Sequence, residues 1–273
     1  MTNLRHSKLT TSAFYLHASI YLILLLLVLK FNSFYFSLDK EDGLDKEDGL
    51  VELVGAFSLF ITSLVLFKSA RDVSKKKGKK NYHFIMFTLM GALFFWAAGE
   101  EISWGQHILG TVTPDWLAKI NGQQETNLHN INKKFFDRWL ERFTVLLAVI
   151  TAIQHFRGKE YFAKFRLPEY PLNLALLLIP IYRKLQEFNH DVWHWCFIIC
   201  WGYPVMAIMK KDYKMLRLSV IFAITFFSVI YVHHNFFHMF GGVSNFYHEV
   251  REMIFSLLTV FYAIQLNKDM DEY

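Results

Sequence analysis

Two adjacent carboxylates, Glu100 and Glu101, close an apolar run and open a polar segment that reads GEEISWGQHILGTVTPDWLAKINGQQETNLHN over 99–130. An acidic side chain costs about 2.5–3.5 kcal/mol at the centre of a bilayer and less near its surface, so acids so placed require a partner, a water-filled cavity or a chemical role. With imidazoles close in the chain, two chemistries are open. A carboxylate can act as a general base, and mixed imidazole and carboxylate donors can hold a divalent cation that activates water or a hydroxyl.

Polar pairs recur at helical spacing. Glu125 and His129, His190 and His194, His234 and His238, and His248 and Glu252 each lie four apart, and Glu100, Ser103 and His107 fall at i, i+3 and i+7. On a helix each set shares one face. These spacings nominate Glu100, Glu101, Glu249 and Glu252 as catalytic carboxylates, and His107, Glu125, His129, His234, His238 and His248 as metal ligands. Such a donor set suits zinc, iron or manganese. Gln106, Gln124, Asn127 and Asn130 supply donors and acceptors for a polar head group. The same pairs also serve as interfacial hydrogen bonds in membrane proteins that carry no metal.

The elements that must position these residues are membrane helices. The chain has 273 residues, 53% of them hydrophobic and 18% aromatic, with a mean hydropathy of +0.23. The expected fold is an all-α polytopic bundle, a single integral domain over 1–273, with about eight spans near 12–31, 51–67, 82–104, 141–156, 170–183, 192–209, 216–238 and 249–266. The fifth is short and holds Pro171 and Pro180. It reads as a kinked or half span.

Basic residues cluster between spans two and three (Lys68 to Lys80), four and five (Arg157, Lys159, Lys164, Arg166) and six and seven (Lys210 to Arg217). By the positive-inside rule these loops and both termini are cytoplasmic. The net charge of +5 is thereby accounted for by orientation rather than by nucleic acid. On the outer side lies an acidic tandem repeat, LDKEDG at 38–43 and 44–49, that runs into Glu52. Glu47, Asp48 and Glu52 adjoin the second span. Cys196 and Cys200 lie four apart in an apolar run and read as free thiols.

Residues 105–140 read as a folded outer loop. Thr113-Pro114-Asp115 has the form of an N-cap, a first-turn proline and an early acid, and Trp116, Leu117 and Ile120 give a short amphipathic helix suited to a membrane surface. A P-loop, a GxGxxG, a GxSxG and an HExxH string are all missing from the sequence, which disfavours nucleotide enzymes and zincins.

The strings Glu47-Asp48-Gly49-Leu50-Val51-Glu52, Gly99-Glu100-Glu101-Ile102-Ser103-Trp104-Gly105-Gln106 and Glu125-Thr126-Asn127-Leu128-His129-Asn130 resemble a family of uncharacterised bacterial multi-pass membrane proteins. The resemblance covers residues 45 to 135 and implies a location in the bacterial cytoplasmic membrane, without an activity. His234-x-x-x-His238 is similar to the histidine spacing of alkaline-ceramidase and adiponectin-receptor type hydrolases, which implies zinc held by helix histidines. Span count and the acidic string in span three differ from that family. The reading is a membrane enzyme, metal-dependent, acting on a lipid or lipid-linked substrate; a proton- or cation-coupled transporter and a structural or accessory membrane protein are the alternatives.

Overall fold

The computed structural model describes residues 7–30, 49–121, 124–162, 164–179, 191–236 and 245–269. Among the described residues the structure is all-α apart from one small antiparallel hairpin, β1 (Tyr161–Phe162) and β2 (Phe165–Arg166). The helices are α1 (Lys8–Lys30), α2 (Leu50–Lys77), α3 (Tyr82–Glu101), α4 (Gln106–Leu109), α5 (Asp115–Ala118), α6 (Lys133–Phe156), α7 (Tyr170–Leu178), α8 (Asp191–Lys210), α9 (Tyr213–Phe236) and α10 (Asn245–Lys268). They divide between two compact units, one made of residues 1–40 and 141–251 and the other of 41–140 and 252–273.

Among the described residues three helices are long and apolar enough to cross a membrane, at Lys8–Leu27, Leu50–Lys77 and Tyr82–Glu101, where the sequence pattern suggested eight. The shortfall has identifiable causes. Helix α6 spends its first turns on charged residues, which leaves only the shorter apolar stretch Arg142–Phe156. Helix α10 carries Glu249, Arg251 and Glu252 early in its length. Many side chains of α8 and several near the end of α9 lie outside the described residues, as do the acidic repeat with Glu47 and Asp48, both cysteine side chains and residues 180–190.

In the unit of residues 41–140 and 252–273, α2 and α3 form an antiparallel pair. Gly78 closes α2 with φ 82°, a left-handed conformation that glycine adopts without steric cost, and its N–H donates to the Ser74 carbonyl at 3.0 Å. Asn81 then caps α3, its side chain accepting from the His83 N–H at 2.9 Å. The pair is close. A Cβ at Gly91 would come within 2.9 Å of the Phe67 ring. The face of α2 that carries Gly55, Ser58, Thr62 and Ser69 meets α10: the Thr62 and Thr259 hydroxyls are 2.9 Å apart, and Asn267 Nδ2 donates to Ser69 Oγ at 2.9 Å. Small and hydroxylated residues let membrane helices approach and hydrogen-bond in this way.

In the unit of residues 1–40 and 141–251, α7 packs against α1 and α9. All nine residues from Tyr170 to Leu178 are buried. At about 1.5 Å per residue they extend about 13 Å, under half of a hydrocarbon core of about 30 Å. The described part of the expected fifth span is thus a half-length helix enclosed by protein. Its start is tied down by Glu169, whose Oε2 accepts from the Ser7 N–H at 2.7 Å and the Thr10 hydroxyl at 2.6 Å.

Arg166 differs from its expected place among loop cations. It is buried, donates to Glu160 Oε2 at 2.6 Å and stacks over the Tyr161 ring at 4.9 Å. Nearby, three helices share a buried polar knot. Tyr203 OH lies 3.1 Å from His155 Nδ1 and accepts from Asn173 Nδ2 at 2.7 Å, while the same amide also donates to the Ala148 carbonyl at 3.1 Å.

Candidate functional site

Helix α3 stops at Glu101, and the next residues show why the segment beyond it is folded rather than loose. Ser103, Trp104 and Gly105 have φ of 45°, 56° and 77°. Three successive left-handed residues reverse the chain, and for the two that carry a Cβ this conformation costs of order 1–2 kcal/mol each. Side-chain bonds made by the same residues offset that cost. The Trp104 indole lies over Gly99, where a Cβ would fall 2.8 Å from the ring, and its Nε1 donates to Glu100 Oε1 at 2.9 Å. The expected helical face of Glu100, Ser103 and His107 is broken by this reversal, and the His107 side chain lies outside the described residues.

Glu100 is buried and receives the returning chain. Its Oε2 accepts the Leu128 N–H at 2.6 Å and the His129 N–H at 3.1 Å. His129 Nδ1 stands 3.9 Å from the same oxygen, with about a quarter of the His129 side chain exposed. A buried carboxylate held by two backbone donors and an indole thus sits beside a partly accessible imidazole.

Glu125 organises the other half. Its Oε2 accepts from Ser103 Oγ at 2.9 Å, Asn127 Nδ2 at 2.6 Å and Asn130 Nδ2 at 2.9 Å, and Asn127 Nδ2 also donates to Ser103 Oγ at 2.9 Å. Asn121 extends the network by donating to the Asn127 carbonyl at 2.8 Å and its side-chain oxygen at 2.9 Å. Asn130 Oδ1 is buried with no hydrogen-bond partner among the described residues.

The i, i+4 reading of Glu125 and His129 is corrected here. The stretch from Gln124 to Leu128 is not helical. A string rich in Asn and Thr bonds its side chains to nearby backbone and so competes with helix formation. Thr113 is likewise no N-cap, since Pro114 occupies that position without a side-chain bond. Thr113 Oγ1 instead donates to the Gln124 carbonyl at 2.6 Å and accepts from Gln106 Nε2 at 2.8 Å. Gln106 Oε1 accepts the Thr126 N–H at 2.5 Å. Gln106, Asn127 and Asn130 therefore bind the segment to itself, while Gln124 is exposed with φ 58°.

Of the remaining nominated residues, Glu101, Glu249 and Glu252 are half-buried and engaged in interactions of their own. His238 and the side chains of His234 and His248 lie outside the described residues. Among the described residues no group of three or more His, Cys, Asp or Glu is placed to hold a metal ion. The surroundings agree with that. Glu100 Oε2 accepts from two N–H donors and Glu125 Oε2 from three N–H and O–H donors, which compete with a cation for those lone pairs.

The sequence pattern placed Ser103 on a helical face with Glu100 but gave no role to Trp104 or Asn121. Only Gly99, which leaves room for the Trp104 ring, hinted at the role of the indole. No family model, no curated protein and no solved structure matches this chain.

Proposed function

We propose that the chain is a polytopic membrane enzyme of about eight membrane segments, the fifth of them short, with both termini in the cytoplasm, and that the segment from Gly99 to Asn130 is its outer-face acid–base site. The observation that carries this reading is the approach of His129 Nδ1 to Glu100 Oε2 at 3.9 Å, with the carboxylate already fixed by Trp104 and two backbone N–H groups. A small rotation of the ring brings an Nδ1–H to the carboxylate. His129 Nε2 then accepts a proton from water or a substrate hydroxyl, and Glu100 supports the resulting imidazolium. The strained turn at Ser103–Gly105 supports the same assignment, because backbone strain persists where the surrounding structure over-determines it. A site at the end of a membrane helix favours a lipid or lipid-linked ester or phosphoester as substrate.

The test incubates the purified protein in mixed micelles with a bacterial polar lipid extract and follows conversion by mass spectrometry. Wild type converts one lipid class, and His129→Gln reduces the rate at least about a hundredfold, as loss of a general base does. Full turnover by His129→Gln, or no conversion by wild type across all lipid classes, rejects the assignment.

A second reading, a structural platform without catalysis, is favoured by the saturation of Glu125 Oε2 with three donors. It requires Glu100→Gln and His129→Gln to alter stability alone.

A further inference from the structure

We propose that the segment from Leu109 to Ile120 is a membrane-surface anchor whose apolar side chains insert into the interfacial layer of the bilayer. Leu109, Val112, Trp116 and Ile120 are 72%, 88%, 65% and 53% exposed. Thr113 within the stretch and Asn121 just beyond it are buried and hydrogen-bonded to Gln124 and Asn127, Leu117 is buried as well, and Thr111, Asp115 and Lys119 are exposed beside the apolar side chains. Four large apolar side chains exposed among charged and polar neighbours give the mixed surface of an interfacial segment.

The surface that leads into the segment is also apolar. Ile85, Leu89, Leu93 and Trp96 lie at i, i+4, i+8 and i+11 on α3 and are all exposed. They form one lipid-facing stripe on a helix long enough to span. Phe135, Trp139, Phe143 and Leu146 repeat the same spacing and exposure on α6, at the other end of the segment. A segment with exposed apolar side chains, in a connection between two helices that carry such stripes, belongs at the membrane boundary, where tryptophan is favoured. The occupant of this face is the bilayer itself. The inference rests on the membrane location and not on the acid–base pair of Glu100 and His129.

The test places a single cysteine at Val112 in a Cys196→Ser, Cys200→Ser background, attaches an environment-sensitive nitrobenzoxadiazole label and reconstitutes the full chain in phosphatidylcholine vesicles. Lipids brominated near the glycerol end of the acyl chain should quench the label at least about twofold, and lipids brominated near the methyl end should quench it less, as a shallow insertion requires. A label at Leu89 should be quenched by both, and one at Gln124 by neither. Trp116→Cys carries the same expectation should Val112→Cys disturb the segment. Quenching at positions 112 and 116 no greater than at Gln124, while Leu89 is quenched, overturns the anchor. Cross-linking of Val112→Cys between copies in dilute nanodiscs does so too, because a second copy then covers the face. If Leu89 also escapes quenching, the membrane location fails and the anchor with it.

Discussion

The Ser103 hydroxyl donates to the Glu125 carboxylate at 2.9 Å across 22 residues of chain. That bond locks the reversed turn after α3 to the returning chain, and Asn127 and Asn130 converge on the same carboxylate oxygen. Glu100 performs the matching task on the backbone of Leu128 and His129. The segment is therefore closed by two acids, each surrounded by donors.

Removing the Glu125 carboxylate should open this segment. Glu125→Ala leaves Ser103 Oγ and Asn130 Nδ2 without this acceptor while Asn127 Nδ2 keeps Ser103 Oγ, a loss of roughly 2–4 kcal/mol if each orphaned donor costs about 1–3 kcal/mol and the effects overlap. Limited proteolysis of the protein in micelles should show new cleavage between 110 and 130. A cleavage pattern identical to wild type would mean that the carboxylate is dispensable for closure.

Gly99→Ala should act through Trp104. The added methyl meets the indole at 2.8 Å, so the ring must move and its bond to Glu100 Oε1 is lost. Overpacking of this kind costs about 1–3 kcal/mol. The direct readout is faster amide exchange at Leu128 and His129, whose N–H groups rest on the same carboxylate.

In the other unit, Tyr203→Phe removes the hydroxyl that joins His155 to Asn173. Hydrogen bonds between membrane helices are worth roughly 0.6–2 kcal/mol. A lowered thermal midpoint is expected, with rescue by neither His155→Ala nor Asn173→Ala, because both of those leave further polar groups buried without partners. An unchanged midpoint would show that the knot contributes nothing to packing.

Cysteine labelling should place Lys77 and Gln124 on opposite sides of the membrane, since one follows α2 and the other lies beyond α3, and both are exposed. In right-side-out spheroplasts an impermeant maleimide should react at position 124 and not at 77. Reaction at both, or at 77 alone, contradicts the proposed topology.

What the sequence disclosed depended on the kind of signal. Helices α1, α2 and α3 were legible because an apolar run of about twenty residues has few other outcomes. The partnering of Glu100 was legible as well, because a buried acid needs donors. Its geometry was not. Spacing of four suggested a helical Glu125–His129 pair, whereas the Asn and Thr side chains bond locally and hold that stretch in an irregular form. Arg166 counted as a loop cation because composition does not reveal that Glu160 and Tyr161 enclose it. Trp104 was overlooked because its role depends on left-handed backbone at Ser103 and Trp104, which no propensity of those residues announces.

The enclosed helix α7 sets a timetable for synthesis. The Tyr170 hydroxyl is bonded to the Met215 carbonyl at 2.8 Å and to Ser219, partners that lie 45 and 49 residues further along the chain. At about 5–20 residues per second, the ribosome needs about 2–10 seconds after making Tyr170 before those partners exist. During that interval the stretch can meet α1 and α6, which are already made, but the side that α9 covers stays open until α9 arrives.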